Sequence, residues 1–411
     1  MHDPLTTLSE PGILDVQPAH IPEPSPVSKP LLFQPLTIRG VTLKNRVCVA
    51  PMHQYAADHG FATDWHLMNI GRFAAGGAGL TFVESTKVDP RGCGTVGDLG
   101  LWDDKFIPGV KRLADFIKAH NCVAAIQIGH SARKAKRFRP WEGGKPLREN
   151  PGVDEDYWNA WELVAPSAVP ASDTDPTPRA LTNQEVKDLV AMWGEAARRA
   201  NDCGFDILEV HGAHGYCIHQ FLSPGANVRN DEYGGSEENR MRFCLEVVEA
   251  VRANWPDDKP LFLRLSVEDR AGWGIPESIR LSRKVKPLGV DVIDCSGGGM
   301  QGSPTEFSPS YGYQVPYADA IRRAADSLTM AVGLIVHAEQ AEAILQNGQA
   351  DIIALAREIL YNPNWPMDAA RKLGVEDNLK LVPDQQAYWL GRRDATAPEV
   401  VPSTFGRGME G

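Results

Sequence analysis

The sequence contains no uninterrupted run of about 18 apolar residues, the length that a membrane-spanning helix requires. Its first residues have neither the basic nor the apolar segment of a secretory signal. Basic residues are also in the minority, because 42 Lys and Arg face 53 Asp and Glu, a net charge of −11. This balance argues against nucleic acid and anionic membranes as partners. We therefore expect a cytoplasmic protein that acts on a small molecule.

Cysteine is sparse and has no paired spacing. The seven cysteines are an odd number, and none forms a CxxC motif. Several lie in apolar, strand-like stretches, as reduced core thiols do. We expect buried free thiols at positions 48, 93, 122, 203, 217, 244 and 295.

The sequence also lacks a GxGxxG motif between a strand-like run and a helix, which weakens a Rossmann interpretation. Instead, eight short apolar or β-branched runs alternate with longer helical stretches. Eight buried parallel strands separated by helices are typical of a closed (β/α)8 TIM barrel in the α/β class. We expect strands at 47–50, 80–83, 123–126, 207–210, 261–264, 290–294, 329–332 and 352–355.

Three further segments flank or interrupt the barrel, which we expect to span residues 31–390. Residues 1–30 contain seven prolines. Proline has no backbone N–H to donate in a helix or a β-sheet, so this composition predicts an extended arm. Residues 391–411 are predicted to form a C-terminal tail. The stretch from Ser131 to Ala180, after the third strand, predicts a long insertion of the kind that acts as a lid or binding loop. Helix resumes at Thr182, which precedes Glu185 as in a capping box.

Reactive side chains in such a barrel are expected at the C-terminal strand ends. These ends are poor in carboxylates: a glycosidase would need two, and Glu84 is the only strong candidate. They offer instead the amide of Gln127 and the guanidinium of Arg264. An amide and an arginine facing one ring satisfy the pyrimidine edge of a flavin, and the arginine stabilises the negative charge of the reduced form.

Glycines follow the sixth and seventh expected strands. Residues 297–299 and Gly333 can present backbone N–H groups to a phosphate, and Arg357 can add a bidentate charge. Barrels often bind phosphate at the seventh and eighth strands. Together the strand ends favour a flavin nucleotide.

The fourth strand runs into the most distinctive motif, His211 to Tyr216, which contains His211, His214 and Tyr216. The spacing of the two histidines fits neither strand nor helix periodicity well. Three interpretations remain open from the residues alone: two loop histidines, a metal pair, or two N–H donors to one ligand oxygen with a phenol beside them as a proton donor.

Longer motifs carry a family resemblance over nearly all of residues 31–390. They include Ala50-Pro51-Met52, Asp64-Trp65-His66-Leu67, Gly76-Gly77-Ala78-Gly79-Leu80 and Gly100-Leu101-Trp102-Asp103-Asp104, followed by the stretch from His211 through Phe221-Leu222-Ser223-Pro224 to Asn239-Arg240. The chain resembles the Old Yellow Enzyme family of FMN-dependent ene-reductases, and most closely its thermophilic-like bacterial branch.

The resemblance implies a role for each matching position. It assigns the flavin ring to Ala50, Pro51, Met52, His53, Ser85, Gln127 and Arg264, and the flavin phosphate to Gly333, Ala356 and Arg357. His211 and His214 are expected to bind the substrate oxygen, Tyr216 to donate a proton, and Tyr55 to shape the pocket. No metal is expected.

The implied activity is hydride transfer from NAD(P)H, through non-covalent FMN, to the activated C=C bond of an α,β-unsaturated carbonyl compound.

One departure from the family pattern leaves other functions open: His53 stands where this branch usually has cysteine. The acceptor could instead be a quinone, a nitro compound or an acyl-CoA. A flavin-binding protein with little turnover is a rival of another class, and a metal hydrolase at His211, His214 and Glu209 is the weakest. The resemblance also implies a homo-oligomer, a dimer or tetramer.

Overall fold

The structure is a computed structural model that describes residues 29–300 and 310–399. Eight of its strands form a closed parallel barrel, in the order β10-β11-β12-β3-β4-β5-β8-β9. The strands are β1 (Leu36–Ile38), β2 (Val41–Leu43), β3 (Val47–Val49), β4 (Leu80–Lys87), β5 (Val123–Gly129), β6 (Val164–Ala165), β7 (Arg179–Ala180), β8 (Ile207–Gly212), β9 (Leu261–Ser266), β10 (Val292–Ser296), β11 (Leu328–Ala331) and β12 (Ile352–Leu355). The (β/α)8 prediction is confirmed, and each of the eight expected runs overlaps a barrel strand.

Helices follow the barrel strands along the chain and cover the outside of the barrel. Those that the structure describes are α1 (Asp64–Ala75), α2 (Ile107–Ala119), α3 (Glu155–Ala160), α4 (Asn183–Asp202), α5 (Cys217–Leu222), α6 (Glu237–Ala253), α7 (Ile275–Val285), α8 (Val315–Ala325), α9 (Ala338–Gln346), α10 (Arg357–Tyr361), α11 (Trp365–Lys372) and α12 (Asp384–Thr396). The predicted capping box is present at α4, where the Thr182 N–H donates to the Glu185 carboxylate at 2.8 Å and the Glu185 N–H donates to the Thr182 hydroxyl at 3.2 Å.

The inside of the barrel changes from apolar to polar along the strands. Side chains alternate between the interior and the helices, because successive residues of a strand point to opposite faces. Near the strand starts the interior residues form one apolar cluster, which Ile38 and Leu43 of the β1–β2 hairpin join. Further along, the buried residues are polar: Gln127, Glu209, Arg264 and Asp294. The polar side chains available to a ligand therefore lie towards the C-terminal mouth.

The insertion from Ser131 to Ala180 contains α3 and the short parallel strands β6 and β7. It is attached to the barrel by Trp161, which is fully buried and donates its indole N–H to the Cys93 carbonyl at 3.0 Å. This anchor fixes the insertion beside the mouth.

The expected boundaries at the chain ends stay predictions. Residues 1–28 of the proline-rich arm lie outside the described residues. Helix α12 runs to Thr396, across the expected boundary between the barrel and the C-terminal tail at 390. All seven cysteines are buried and unbonded to one another. Within the described ranges, no helix has both the length and the apolar character to cross a membrane.

Candidate active site

The histidine motif folds into one compact group at the mouth of the barrel. His211 is on β8, and its ring centre lies 5.3 Å from that of His214 and 5.1 Å from that of Tyr216. His214 has a φ of 58°, which is uncommon outside glycine and often marks functional sites. Its backbone N–H donates to the Ser266 hydroxyl at 2.8 Å, so β9 holds the turn in place.

Both histidines of this motif are neutral. Burial, followed by neighbouring positive charges, lowers the pKa of His211 and of His214 well below the usual value. The Nδ1 atom of His211 accepts the Ala213 N–H at 3.4 Å, so its proton is on Nε2. His211 therefore presents an N–H donor, as a substrate oxygen requires.

Tyr216 is a protonated phenol with two lysine side chains close to its ring. Burial raises its pKa to about 12. The Nζ atoms of Lys87 and Lys134 each lie 5.7 Å from its ring centre, within the range of a cation–π contact. Neither lysine was assigned to the site from the sequence, although Lys87 ends β4 and Lys134 follows β5 closely.

Lys134 joins the histidine turn to the loop after β10. Its ammonium donates to the carbonyl of His214 at 2.9 Å and to that of Gly299. Burial lowers the Lys134 pKa to about 8. The two loops approach so closely that a Cβ at Gly215, which has a φ of 68°, would lie 2.2 Å from the Gly299 oxygen. Gly215 is required there.

An aromatic wall borders the motif on another side. His53 stacks on Tyr55 with ring centres 5.4 Å apart, and it lies 6.3 Å from Tyr216. Trp141 of the insertion packs edge-on against Tyr55 at 5.7 Å, and Arg139 donates to the Tyr55 carbonyl at 2.9 Å. The insertion thus reaches the site and contributes an indole that is 67% exposed.

Gln127 and Arg264 lie deeper in the mouth, each beside a buried carboxyl group. Gln127 Nε2 donates to Glu209 at 2.8 Å. Arg264 donates to the Ser296 hydroxyl at 2.9 Å and pairs with Asp294. Burial, with the repulsion between them, raises the pKa of Glu209 well above its usual value, and burial raises that of Asp294. The pair therefore retains a proton, a feature that the sequence interpretation missed.

The remaining ring-side positions lie on β3 and β4. Ala50 follows β3 and donates its N–H to Leu355 at 2.9 Å, and Met52 accepts from Gln54 at 2.9 Å. Ser85 on β4 points at β5, because a Cβ at Gly129 would lie 2.3 Å from its Oγ and 3.4 Å from the Cβ of His211. Ser85 is therefore close to the histidine motif.

The glycine turns lie on the adjoining part of the rim. Gly333 follows β11 with a φ of 118°, and Ala356 and Arg357 follow the neighbouring strand β12. Gln314 bridges this turn to the β10 loop, since it accepts the Gly297 N–H at 2.8 Å and donates to the Val332 carbonyl at 3.4 Å. Arg357 is exposed at this rim.

Within the described part of the chain, no cluster of three or more His, Cys, Asp or Glu side chains is placed to hold a metal ion. Eight of the predicted positions converge around the mouth: His53, Tyr55, Ser85, Gln127, His211, His214, Tyr216 and Arg264. Ala50, Pro51 and Met52 follow β3 directly, and the three predicted phosphate positions lie on two adjacent strand ends.

Comparison with known proteins identifies the family. The model of the NADH:flavin oxidoreductase / NADH oxidase family matches residues 31–376. An NADPH dehydrogenase of Geobacillus sp. (strain WCH70) is 42% identical over 349 residues, which are 84% of this chain and 95% of that protein.

Solved structures agree in fold. An old yellow enzyme homologue of Zymomonas mobilis superposes with a TM-score of 0.68 at 26% identity, over 84% of this chain and 93% of that one. A 2-naphthoyl-CoA reductase superposes with a TM-score of 0.74 at 26% identity, over 86% of this chain. The present chain spans only about half of that reductase, 53% of its length. The protein therefore belongs to the NADH:flavin oxidoreductase / NADH oxidase family, as an NAD(P)H:flavin oxidoreductase of the Old Yellow Enzyme type that uses FMN.

Proposed function

We propose that the enzyme reduces the activated C=C bond of α,β-unsaturated carbonyl or similar compounds with NAD(P)H. The observation that carries this proposal is the contact between two neutral histidines and a protonated tyrosine, with ring centres 5.1 to 5.3 Å apart, at the mouth of the barrel. Such a group suits an acceptor that gains negative charge on one oxygen and then needs a proton.

The residues of the mouth fit FMN. Gln127 and Arg264 offer donors inside the mouth, and the backbone from Ala50 to His53, with Ser85, borders the same space. Gly333, Ala356 and Arg357 supply backbone N–H groups and an exposed cation to a phosphate on adjacent strand ends. When bound, the flavin accepts a hydride equivalent from NAD(P)H and supplies it to the alkene carbon β to the carbonyl.

Residues of the mouth orient the alkene, stabilise the negative charge on its carbonyl oxygen and supply a proton. His211 and His214 donate hydrogen bonds to the carbonyl oxygen, where negative charge develops, in an oxyanion-hole arrangement. Tyr216 donates its phenolic proton to the carbon next to the carbonyl, and its raised pKa keeps that proton in place at neutral pH. Tyr55 and Trp141 bound the space that the substrate enters.

A second acceptor class keeps the same barrel and flavin. His53 in place of cysteine, and the insertion that brings Trp141 to the site, favour a quinone, a nitro compound or an acyl-CoA as an alternative acceptor. By its name, the structurally similar reductase acts on 2-naphthoyl-CoA. A flavin-binding protein with little turnover is less consistent with the histidine and tyrosine group.

The test uses the purified protein under anaerobic conditions. We expect a yellow protein that bleaches with NADPH and recovers its colour when cyclohexenone is added. A colourless protein that gains no spectrum from added FMN would contradict flavin binding. Bleaching without recovery by cyclohexenone, but with recovery by a quinone, nitro compound or acyl-CoA, would assign the alternative acceptor.

We also propose that the protein is a cytoplasmic homo-oligomer, a dimer or tetramer. The proposal rests on the family resemblance and on the exposed side chains Tyr388 and Trp389 of α12. Light scattering coupled to size-exclusion chromatography measures the mass, and a value near 45.0 kDa, that of one chain, would contradict it.

A further inference from the structure

A lysine is buried beside the position where the family resemblance implied cysteine. Lys87, the last residue of β4, is 1% exposed. Its ammonium lies 3.4 Å from a carboxylate oxygen of Asp98, which is also 1% exposed, and 3.0 Å from Nε2 of His53. A buried cation, its counter-ion and an imidazole thus form a continuous chain that ends in the proposed active site.

The lysine determines which nitrogen of His53 carries the proton. An ammonium group has three donors and no acceptor, so Nε2 of His53 must accept and the ring proton must reside on Nδ1. Protonation of Nε2 would place a second positive charge 3.0 Å from the first. Burial and this charge lower the His53 pKa to about 3, and Asp98 opposes the shift only weakly.

The other ring nitrogen, Nδ1, keeps its proton free for a ligand. The titratable groups around the imidazole, besides Lys87 and Asp98, are Tyr55, Tyr216, His211 and His214. Asp98 already accepts from the backbone of Gly94 and Thr95 and from the Thr95 hydroxyl. Among the described residues, no hydrogen bond occupies His53 Nδ1, and this atom is not among the buried unpartnered ones.

We propose that Lys87 and Asp98 are positioning residues that hold His53 as a permanently neutral hydrogen-bond donor, with Nδ1–H directed to the ligands of the active site. The identity of those ligands, FMN or its oxidising substrate, rests on the proposed function. A cysteine at this position would ionise with a pKa of about 8.5 and change the charge of the site near neutral pH. His53 held by Lys87 keeps one charge state from weakly acidic to alkaline pH.

The direct test is the protonation state of the ring, which requires no turnover. In ¹⁵N-histidine-labelled protein, with His53→Asn to assign its signals, we expect a neutral Nδ1–H tautomer that does not titrate between about pH 5 and 9. The comparison is Lys87→Met/Asp98→Asn, which removes both buried charges together and so avoids leaving one unpaired. In it, the His53 pKa should rise because the charge of Lys87 is gone, while burial still holds it below its ordinary value of about 6.5. An Nε2–H tautomer in the parent, or an unchanged His53 pKa in the variant, would overturn the proposal.

A second variant, Lys87→Arg, keeps the proposal falsifiable if the double variant folds poorly, because a changed His53 tautomer in it would contradict the proposal. Lys87→Arg retains a cation that donates only, and we expect its His53 to keep the parent tautomer. Where the double variant folds, the acidic limb of the pH profile of FMN reoxidation should gain an ionisation below about pH 6.5 that the parent and Lys87→Arg lack over the same range. An identical profile in all three proteins would contradict the role of Lys87. Loss of reoxidation by every acceptor, with the tautomer intact, would instead contradict the proposed function alone.

Discussion

The guanidinium Nε of Arg264 lies 3.1 Å from a carboxylate oxygen of Asp294 inside the barrel, where the Asp294 side chain is 0% exposed. Among the described residues, neither Asp294 oxygen accepts a hydrogen bond of good geometry, and Glu209 Oε2 is buried without a partner as well. Two carboxyl groups therefore share one arginine. The cluster is electrically neutral when one of them keeps a proton.

Asp294→Asn should destabilise the fold strongly, because it leaves Arg264 buried without a counter-ion. Breaking a buried pair from one side costs about 3–5 kcal/mol. Glu209→Gln replaces a protonated acid by a neutral amide of the same shape, so we expect a loss of only about 1 kcal/mol. Urea unfolding of the two variants measures both values. Equal losses would contradict the assignment of the retained proton to Glu209.

Glu84 should make stability depend on pH. Burial raises its pKa in the folded protein to about 8, compared with about 4.3 in an unfolded chain. Because the folded state holds the proton more tightly, this contribution is fully present below about pH 4 and is lost as the pH rises through about 8. Glu84→Gln should flatten the fall in unfolding free energy between about pH 5 and 8. Glu142→Gln, at an exposed carboxylate, is the control and should leave the slope unchanged.

Tyr216→Phe should slow one half-reaction selectively. The variant keeps the ring near Lys87 and Lys134 but removes the phenolic proton. We expect slower reoxidation by cyclohexenone, with reduction by NADPH nearly unchanged. Stopped-flow spectroscopy measures the rates of flavin reduction and of flavin reoxidation separately. An equal fall in both rates would contradict the proton-donor role.

His214→Ala should weaken stabilisation of the substrate oxygen. Removing one oxyanion donor typically reduces the rate about 100- to 1,000-fold. Reoxidation rates with saturating enone measure the effect. His59→Ala is the matched control, since His59 is exposed and contacts Asp58 and Tyr157 and not the histidine motif, and its rate should equal that of the parent.

Trp141→Ala should change substrate preference more than turnover. The exposed indole contacts Tyr55 edge-on, so its removal opens the wall without touching the histidine group. We expect KM to rise several-fold for a bulky aromatic acceptor and little for cyclohexenone, and Trp141→Phe to restore most of the difference. A uniform fall in kcat for both substrates would place Trp141 in a different role.

Much of the barrel was predictable because its signals are local. Each buried parallel strand is a short apolar run, and the run before His211 ends where β8 meets the mouth. The capping box at Thr182 is equally local, since both hydrogen bonds join residues three apart. The motif from His211 to Tyr216 lies on one turn, so its members had to be neighbours.

The sequence by itself thus determined the fold class, the strand positions and the family. Only the tertiary structure decided which distant side chains meet: Lys87 with His53, Asp294 with Arg264, and Lys134 with Gly299, 165 positions away. Local patterning cannot specify these pairs, because closure of the barrel sets which interior residues of neighbouring strands and loops face each other. The charge and tautomer of each group follow from those contacts, since burial and nearby charges act through space and not along the chain.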